Sequence, residues 1–159
     1  AAARTGIAVV TLPETRWARV DIKSIALLPN VLAKQAAREQ GAREAWFVDR
    51  DGYVTEGASS NAWIVTDRDE VVTRPVGPDI LRGISREVVK EVVASKGLTL
   101  VERPFTVAEA HAARESFVTA ASQIVMPVVR IDGRPVGTGA PGAVAAALRA
   151  SFHAHAEVT

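Results

Sequence analysis

The sequence contains no cysteine, and this absence excludes several kinds of site. Without a thiol there is no disulfide framework, no thiolate ligand for a metal ion and no cysteine nucleophile. A chain without disulfides suits a reducing compartment, so we expect the protein to be cytoplasmic. Long apolar runs are missing as well: no stretch reaches the roughly 18 consecutive apolar residues of a membrane-spanning helix, and the chain does not open like a signal peptide.

An excess of charge of either sign is also missing. The 19 lysines and arginines are balanced by 18 aspartates and glutamates, which leaves a formal net charge of +1. Nucleic acids and anionic membranes attract strongly basic surfaces, so we expect neither as a partner. The 159 residues are 48% hydrophobic, which is enough to bury one globular core. The single methionine is Met126, so residue 1 is not an initiator and we expect further sequence upstream.

Strand-like and helix-like segments alternate along the chain, which predicts an α/β (α+β) fold in one domain. The predicted strands are 6–12, 16–22, 44–48, 53–55, 61–66, 71–74, 98–105, 117–119 and 124–131. The predicted helices are 30–41, 83–97, 107–113 and 142–153. We expect Asn30 to cap the first of these helices and Gly41 to end it. The dipeptides Asp51-Gly52 and Asp132-Gly133 predict tight turns.

A lysine stands in the alternating segment 16–22 and its continuation. Arg19, Asp21 and Lys23 lie on one face of this predicted strand, opposite Ala18 and Val20. The face is either a solvent-exposed edge or the wall of a polar cavity. In a cavity, partial desolvation of Lys23 favours the neutral amine, which is a nucleophile toward carbonyl groups. The other lysines are predicted to lie on helix surfaces: Lys34, Lys90 and Lys96.

Two further segments carry candidate binding groups. Glu56 follows a predicted strand and precedes small residues, which is typical either of a polar loop or of a backbone that a flat ligand can approach. Gly83 precedes the clearest predicted helix, whose free N–H groups form an anion site. Ser85 either caps that helix or donates to a phosphate. His153 and His155 have no third ligand in view, so we expect no metal site.

In this order and spacing, the motifs are similar to those of the fold-type IV (class IV) pyridoxal-phosphate aminotransferases. The resemblance is closest to the D-amino-acid (D-alanine) transaminase branch and extends from about residue 6 to the closing helix. The matching segments are RWARVDIKS (16–24), LLPNVLAKQ (27–35), VTEGASSN (54–61), GISR (83–86), FVT (117–119), MPV (126–128) and IDG (131–133).

The resemblance implies a fold, a reaction and a domain organisation. The fold is a mixed-sheet pseudo-barrel with flanking helices, as in the C-terminal domain of this family. Residues 1–15 would be the end of an interdomain linker and the first strand, and residues 16–159 the cofactor-binding domain. A preceding N-terminal domain would be absent from this chain. The protein would use pyridoxal 5'-phosphate to transfer the amino group of a D-amino acid to a 2-oxo acid, as a homodimer.

The resemblance also implies roles for individual residues. Lys23 would bind the cofactor as a Schiff base and then move a proton between substrate and cofactor. Glu56 would pair with the N–H of the pyridine ring. Gly83, Ile84 and Ser85 would hold the phosphate.

The resemblance leaves two positions less regular. Arg16 matches a family arginine near the ring, although strand alternation places it on the face opposite Lys23, so the role needs a bend. A second phosphate contact, usually a hydroxyl, falls at Ala120-Ala121 here, where the Ala121 N–H or the Ser122 hydroxyl would substitute.

Alternatives within and outside the family stay open. A branched-chain amino-acid aminotransferase and an aminodeoxychorismate lyase use the same lysine. A hypothesis of a different class is that the chain is an inactive cofactor-binding fragment. In the family that it resembles, the absent domain supplies an arginine to the phosphate. Loss of such a charge-assisted contact costs on the order of 1.5–3 kcal/mol.

Overall fold

A single mixed sheet dominates the structure. The computed structural model describes residues 2–156, with side chains described through Ala154, and in this part nine strands share the sheet and five helices flank it. The strands are β1 (Ile7–Pro13), β2 (Glu44–Val48), β3 (Val54–Gly57), β4 (Asn61–Val65), β5 (Glu70–Thr73), β6 (Thr99–Glu102), β7 (Glu115–Ala120), β8 (Ile124–Ile131) and β9 (Arg134–Pro135). The helices are α1 (Ala2–Thr5), α2 (Leu28–Glu39), α3 (Ile84–Ser95), α4 (Val107–Ala112) and α5 (Ala143–Ala156).

The strand order is β3-β2-β1-β8-β7-β4-β5-β6, with β9 paired to β8. β1 runs parallel to both β2 and β8, and β5 runs parallel to β6. The other pairings are antiparallel. The Val54 N–H of β3 donates to the Phe105 carbonyl at 2.9 Å, so the β3 end of the sheet path lies against the segment that follows β6 at the other end. The predicted α/β (α+β) mixed sheet with flanking helices is therefore confirmed.

Apolar residues cover both faces of the central strands. All five residues of β4 are buried, and a strand that is covered on both faces reads as a continuous apolar run. On one face Trp63 stacks on Phe117 and lies beneath α3 and α5. On the other face Trp46 meets Phe105 edge-on. A third cluster packs α2 against β1 and β2. These clusters hold the strand ends that form the site.

Most predicted elements are confirmed, with shifted ends. The hairpin around Asp51-Gly52 and the turn at Asp132-Gly133 are both present. Gly41 and Gly97 adopt positive φ just after α2 and α3, as expected of helix stops. The predicted strand 98–105 is shorter, since only Thr99–Glu102 pairs with β5.

The predicted strand 16–22 is wrong. This segment has no pairing partner in the sheet and forms turns, with the Ile22 N–H donating to the Arg19 carbonyl at 3.0 Å. The Glu14 carboxylate accepts from the backbone N–H of Arg16 at 3.0 Å, which competes with extended pairing. Apolar alternation alone cannot make a strand where no neighbouring strand is available. The predicted face that separated Arg16 from Lys23 therefore does not exist.

The predicted cap of α2 is also wrong. Leu27 is the N-cap residue and makes no side-chain cap, while Pro29 lies in the first turn. Asn30 lies inside the helix, and its Nδ2 donates to the Ala58 carbonyl at 2.8 Å. The Asn30 side chain therefore binds a residue 28 positions away and does not cap the helix.

Candidate functional site

One cavity of about 610 Å³ gathers the predicted site residues. It opens between the turn segment before α2, the loop that joins β3 to β4, and the start of α3. Every predicted site residue except Ser122 lines it: Arg16, Lys23, Glu56, Gly83, Ile84, Ser85 and Ala121. Its volume lies within the range of small-molecule sites. The roles of these residues remain predictions.

Lys23 reaches the cavity from an irregular segment. It lies between the turns that follow β1 and the start of α2, and it is exposed. Two half-exposed apolar side chains, Trp17 and Ile22, line the cavity beside it. Because segment 16–22 is not a strand, Arg16 and Lys23 both face this cavity, which corrects the expectation that they lie on opposite faces.

Arg16 is buried between two acidic side chains. Its guanidinium donates to both carboxyl oxygens of Glu14, from Nε at 2.8 Å and from Nη2 at 2.7 Å. Its Nη1 donates to Oε1 of Glu56 at 2.6 Å. The guanidinium also lies over the Phe47 ring, 4.5 Å from the centroid. Two acidic side chains thus share one guanidinium.

The pKa values of these two acids shift in opposite directions. Burial raises the pKa of Glu56 from 4.5 to about 7, and the charge and hydrogen bond of Arg16 limit the rise. Burial also acts to raise the pKa of Glu14, but the hydrogen bonds and charge of Arg16 outweigh it and lower the pKa. The pKa of Glu56, which lines the cavity, therefore lies near neutral pH.

Two residues that sequence reasoning did not assign fix the position of the Glu56 carboxylate. The Nδ2 of Asn61 donates to Glu56 Oε2 at 2.9 Å and to the Leu81 carbonyl at 2.9 Å. The backbone N–H of Leu81 reaches both Glu56 oxygens at 3.1 Å. Asn61 is the last residue of the VTEGASSN motif, so the sequence motif could have indicated its role. A backbone donor such as Leu81 leaves no mark in the sequence.

The start of α3 presents unused hydrogen-bond donors to the cavity. Gly83 is the N-cap residue and no side chain caps the helix, so the interpretation of Ser85 as a cap is wrong. Ser85 is buried, and within the described residues its hydroxyl has no hydrogen-bond partner. A Cβ on residue 83 would clash with Asn61 Oδ1, so a larger residue there would displace the Asn61 side chain. The free N–H groups and the helix dipole make this end a suitable anion site.

The turn between β7 and β8 supplies the opposite wall. Thr119, Ala120 and Ala121 line the cavity, whereas Ser122 is exposed and does not. Sequence reasoning did not assign Thr119, whose hydroxyl accepts from Trp63 Nε1 at 2.9 Å. Its proton is free for a further acceptor.

The described part of the chain offers no cluster of three metal-ligating side chains. His153 is exposed near the end of α5, and the side chain of His155 lies outside the described residues. None of the helices between residues 2 and 156 is long and apolar enough to cross a membrane.

Comparisons with known proteins agree on one family. The model for amino-transferase class IV matches residues 1–131. The chain is 43% identical over 139 residues to the D-alanine aminotransferase of Bacillus licheniformis, which covers 87% of this chain and 48% of the relative. It is 42% identical over 152 residues to that of Staphylococcus haemolyticus, covering 96% and 53%.

A solved structure shows the same architecture. The T.th. branched-chain amino acid aminotransferase with pyridoxamine 5'-phosphate matches with a TM-score of 0.86 at 31% identity, over 96% of this chain and 51% of that one. The chain thus spans about half the length of the relatives that it matches.

Proposed function

Because the chain belongs to the amino-transferase class IV family, we propose that it is the cofactor-binding part of a pyridoxal-phosphate-dependent aminotransferase. The amino donor is a D-amino acid such as D-alanine, and the acceptor is a 2-oxo acid. The observation that carries the proposal is that Lys23, Glu56 and Ser85 line one cavity. These residue types match the needs of the cofactor: an amine, an acid and a phosphate anchor.

The choice of donor rests on the closer sequence relatives. The D-alanine aminotransferases named above are 43% and 42% identical to this chain, against 31% for the branched-chain enzyme. Branched-chain transamination is the second candidate, because that enzyme shares the fold over almost the whole chain. A half-reaction with D-alanine and with L-leucine separates the two.

The start of α3 fits a phosphate ester. The N–H groups of Ile84 and Ser85 have no helical acceptor, and the Ser85 hydroxyl is unpartnered in the described residues. Arg86, the next residue, is fully buried, and its guanidinium is held by Glu87 and Glu102. We assign the phosphate to Gly83, Ile84 and Ser85, with the Ala121 backbone on the facing wall.

When bound, pyridoxal phosphate supplies an aldehyde that condenses with amines and a protonated ring that withdraws electrons from the reacting carbon. Lys23 would hold the cofactor through that aldehyde. With its amine free, Lys23 would take up and return the proton of the substrate α-carbon at Nζ.

Glu56 would hold the proton of the ring nitrogen. Its carboxylate is fixed by Arg16, Asn61 and the Leu81 N–H, so it cannot turn away from the cavity. Glu14 and Glu56 share the single charge of Arg16, and a protonated ring would add a second positive charge beside Glu56. Arg16 thereby positions Glu56 and keeps it from becoming more basic.

The proposal is tested by substituting the lysine in the full-length protein. Lys23→Ala is expected to abolish both transamination and the visible absorption band of the lysine-bound cofactor, because no other amine takes its place. Lys96→Ala is the matched control, since Lys96 is exposed at the end of α3. A band that persists in the Lys23→Ala protein would exclude Lys23 from its assigned role.

A further inference from the structure

A buried carboxylate that the proposed chemistry does not use lies behind the cavity wall. Glu44, the first residue of β2, is only 2% exposed. Its Oε1 accepts from the Ala45 N–H at 2.9 Å and lies 3.3 Å from the Lys34 ammonium. Its Oε2 accepts from the hydroxyls of Ser59 at 2.9 Å and Ser60 at 3.0 Å. Hydrogen-bond partners and one ammonium group thus surround both oxygens of the side chain.

The two serines belong to the loop that follows Glu56 and line the same cavity. The loop backbone is tightly held: the Gly57 N–H donates to the Ser60 carbonyl at 2.7 Å, and the Ala58 N–H donates to the Ala45 carbonyl at 2.9 Å. This fixed backbone places both hydroxyls within hydrogen-bond distance of Glu44, with Ser60 buried and Ser59 exposed.

A serine hydroxyl carries one proton and two lone pairs. Ser59 and Ser60 both donate their proton to Glu44, so the cavity meets only their lone pairs. The carboxylate behind them adds negative charge to the same wall. Such a wall accepts hydrogen bonds from an N–H donor and disfavours a second carboxylate.

We propose that Glu44 is a positioning residue that turns Ser59 and Ser60 into an acceptor wall for the amino group of the substrate. The substrate carboxylate is thereby excluded from this wall and directed elsewhere in the cavity. The inference deepens the proposed function and rests on it only for the identity of the amine as a substrate.

The conservative substitution Glu44→Gln tests the polarity of the wall. The Ala45 N–H and the Lys34 ammonium still require an oxygen on their side of residue 44. The amide NH₂ of glutamine must then face the serines, whose hydroxyls become acceptors toward it and donate into the cavity. The shape of the side chain is kept, but the polarity of the wall is reversed.

The first readout is equilibrium binding to the cofactor-free chain. The backbone amide NMR shifts of Ser59 and Ser60 report the binding. The probes are propylamine, which is cationic at neutral pH, and propionate. We expect propylamine to bind the unsubstituted chain more tightly than propionate. In Glu44→Gln this ratio of dissociation constants should fall about tenfold, the equivalent of one lost hydrogen bond of about 1.4 kcal/mol.

Two controls separate polarity from loss of structure. Glu115→Gln alters another buried glutamate, which accepts from the N–H groups of Val144 and Ala145 and does not line the cavity. It should leave the probe ratio unchanged. In a Ser59→Ala/Ser60→Ala background, Glu44→Gln should lower the ratio by less than in the unsubstituted chain, because the hydroxyls that it reorients are gone and only the charge of the carboxylate remains to act.

The second readout is turnover of the full-length protein. Glu44→Gln should raise KM for the amino donor and not for the 2-oxo acid, which carries no N–H. A merely structural role would move both KM values in the same direction, and that result would overturn the inference. So would an unchanged probe ratio, the same change in Glu115→Gln, or the absence of saturable propylamine binding. The probe measurements need no cofactor, so failure of the Lys23 test leaves them intact.

Discussion

The buried carboxyl of Glu56 should make the stability of the cofactor-free chain fall as the pH rises through neutrality. Its pKa is 4.5 in an unfolded chain and about 7 in the folded one, because its side chain is only 6% exposed. The folded state therefore holds the proton more tightly than the unfolded state. Stability contributed by this proton is complete below pH 4.5 and is lost as the pH rises through about 7.

The size of the effect follows from the two pKa values. One pH unit corresponds to about 1.4 kcal/mol, so the interval from 4.5 to about 7 amounts to roughly 3 kcal/mol of unfolding free energy. Several other acids change stability in a lower pH window. Burial acts to raise their pKa values, but hydrogen bonds and nearby cations outweigh it and lower the pKa of Glu14, Glu87, Glu102 and Glu109. Their contributions are lost only as the pH falls below about 4.5.

Urea unfolding measures this contribution when the unsubstituted chain is compared with Glu56→Gln. The experiment covers pH 4.5 to 8, and tryptophan fluorescence is the signal. Glutamine cannot titrate, so any change that it makes at the Asn61 contact is constant with pH. The stability difference between the two proteins should change by about 3 kcal/mol across the range, with the unsubstituted chain losing stability at the higher pH. Parallel stability curves, or a change of opposite sign, would refute the reasoning.

Two further substitutions probe the framework of the site, each by urea unfolding. Gly57→Ala should destabilise the chain by about 1–3 kcal/mol, because the new Cβ would clash with the Ser60 hydroxyl. Ser60→Ala in the same chain should recover part of this loss. If stability does not recover, the contact is contradicted. Arg86→Met removes a fully buried guanidinium that donates to Glu87 and Glu102, and should cost roughly 2–4 kcal/mol, whereas Arg82→Met at an exposed ion pair should cost under about 0.5 kcal/mol. Equal losses in the two arginine variants would contradict the assignment of the buried network.

Local patterns predicted much of the fold correctly. The valines of α3 repeat with helical spacing, and the glycine after them adopts the positive φ that ends the helix. The Asp51-Gly52 turn sets the β2–β3 hairpin, because its geometry depends on the residues of the turn itself. Such features could be predicted because each depends on interactions between residues a few positions apart.

Other features could not be predicted from local patterns. Segment 16–22 alternates like a strand, yet Arg16 binds Glu56, which is 40 positions away. Asn30 carries the signal of a helix cap, yet its side chain holds the loop at Ala58. The same tertiary contacts brought Arg16 and Lys23 to one cavity, where strand alternation had separated them.

The sequence by itself determined most of the helices and strands and the residue types available to the site: a lysine, a glutamate and a Gly-Ile-Ser helix start. Only the tertiary structure decided which side chains meet, how deeply Glu56 is buried and which hydroxyls Glu44 orients. The physical reason is that propensity and periodicity act over one or two turns of chain. Desolvation and ion pairing depend on segments that the sheet brings together from distant positions.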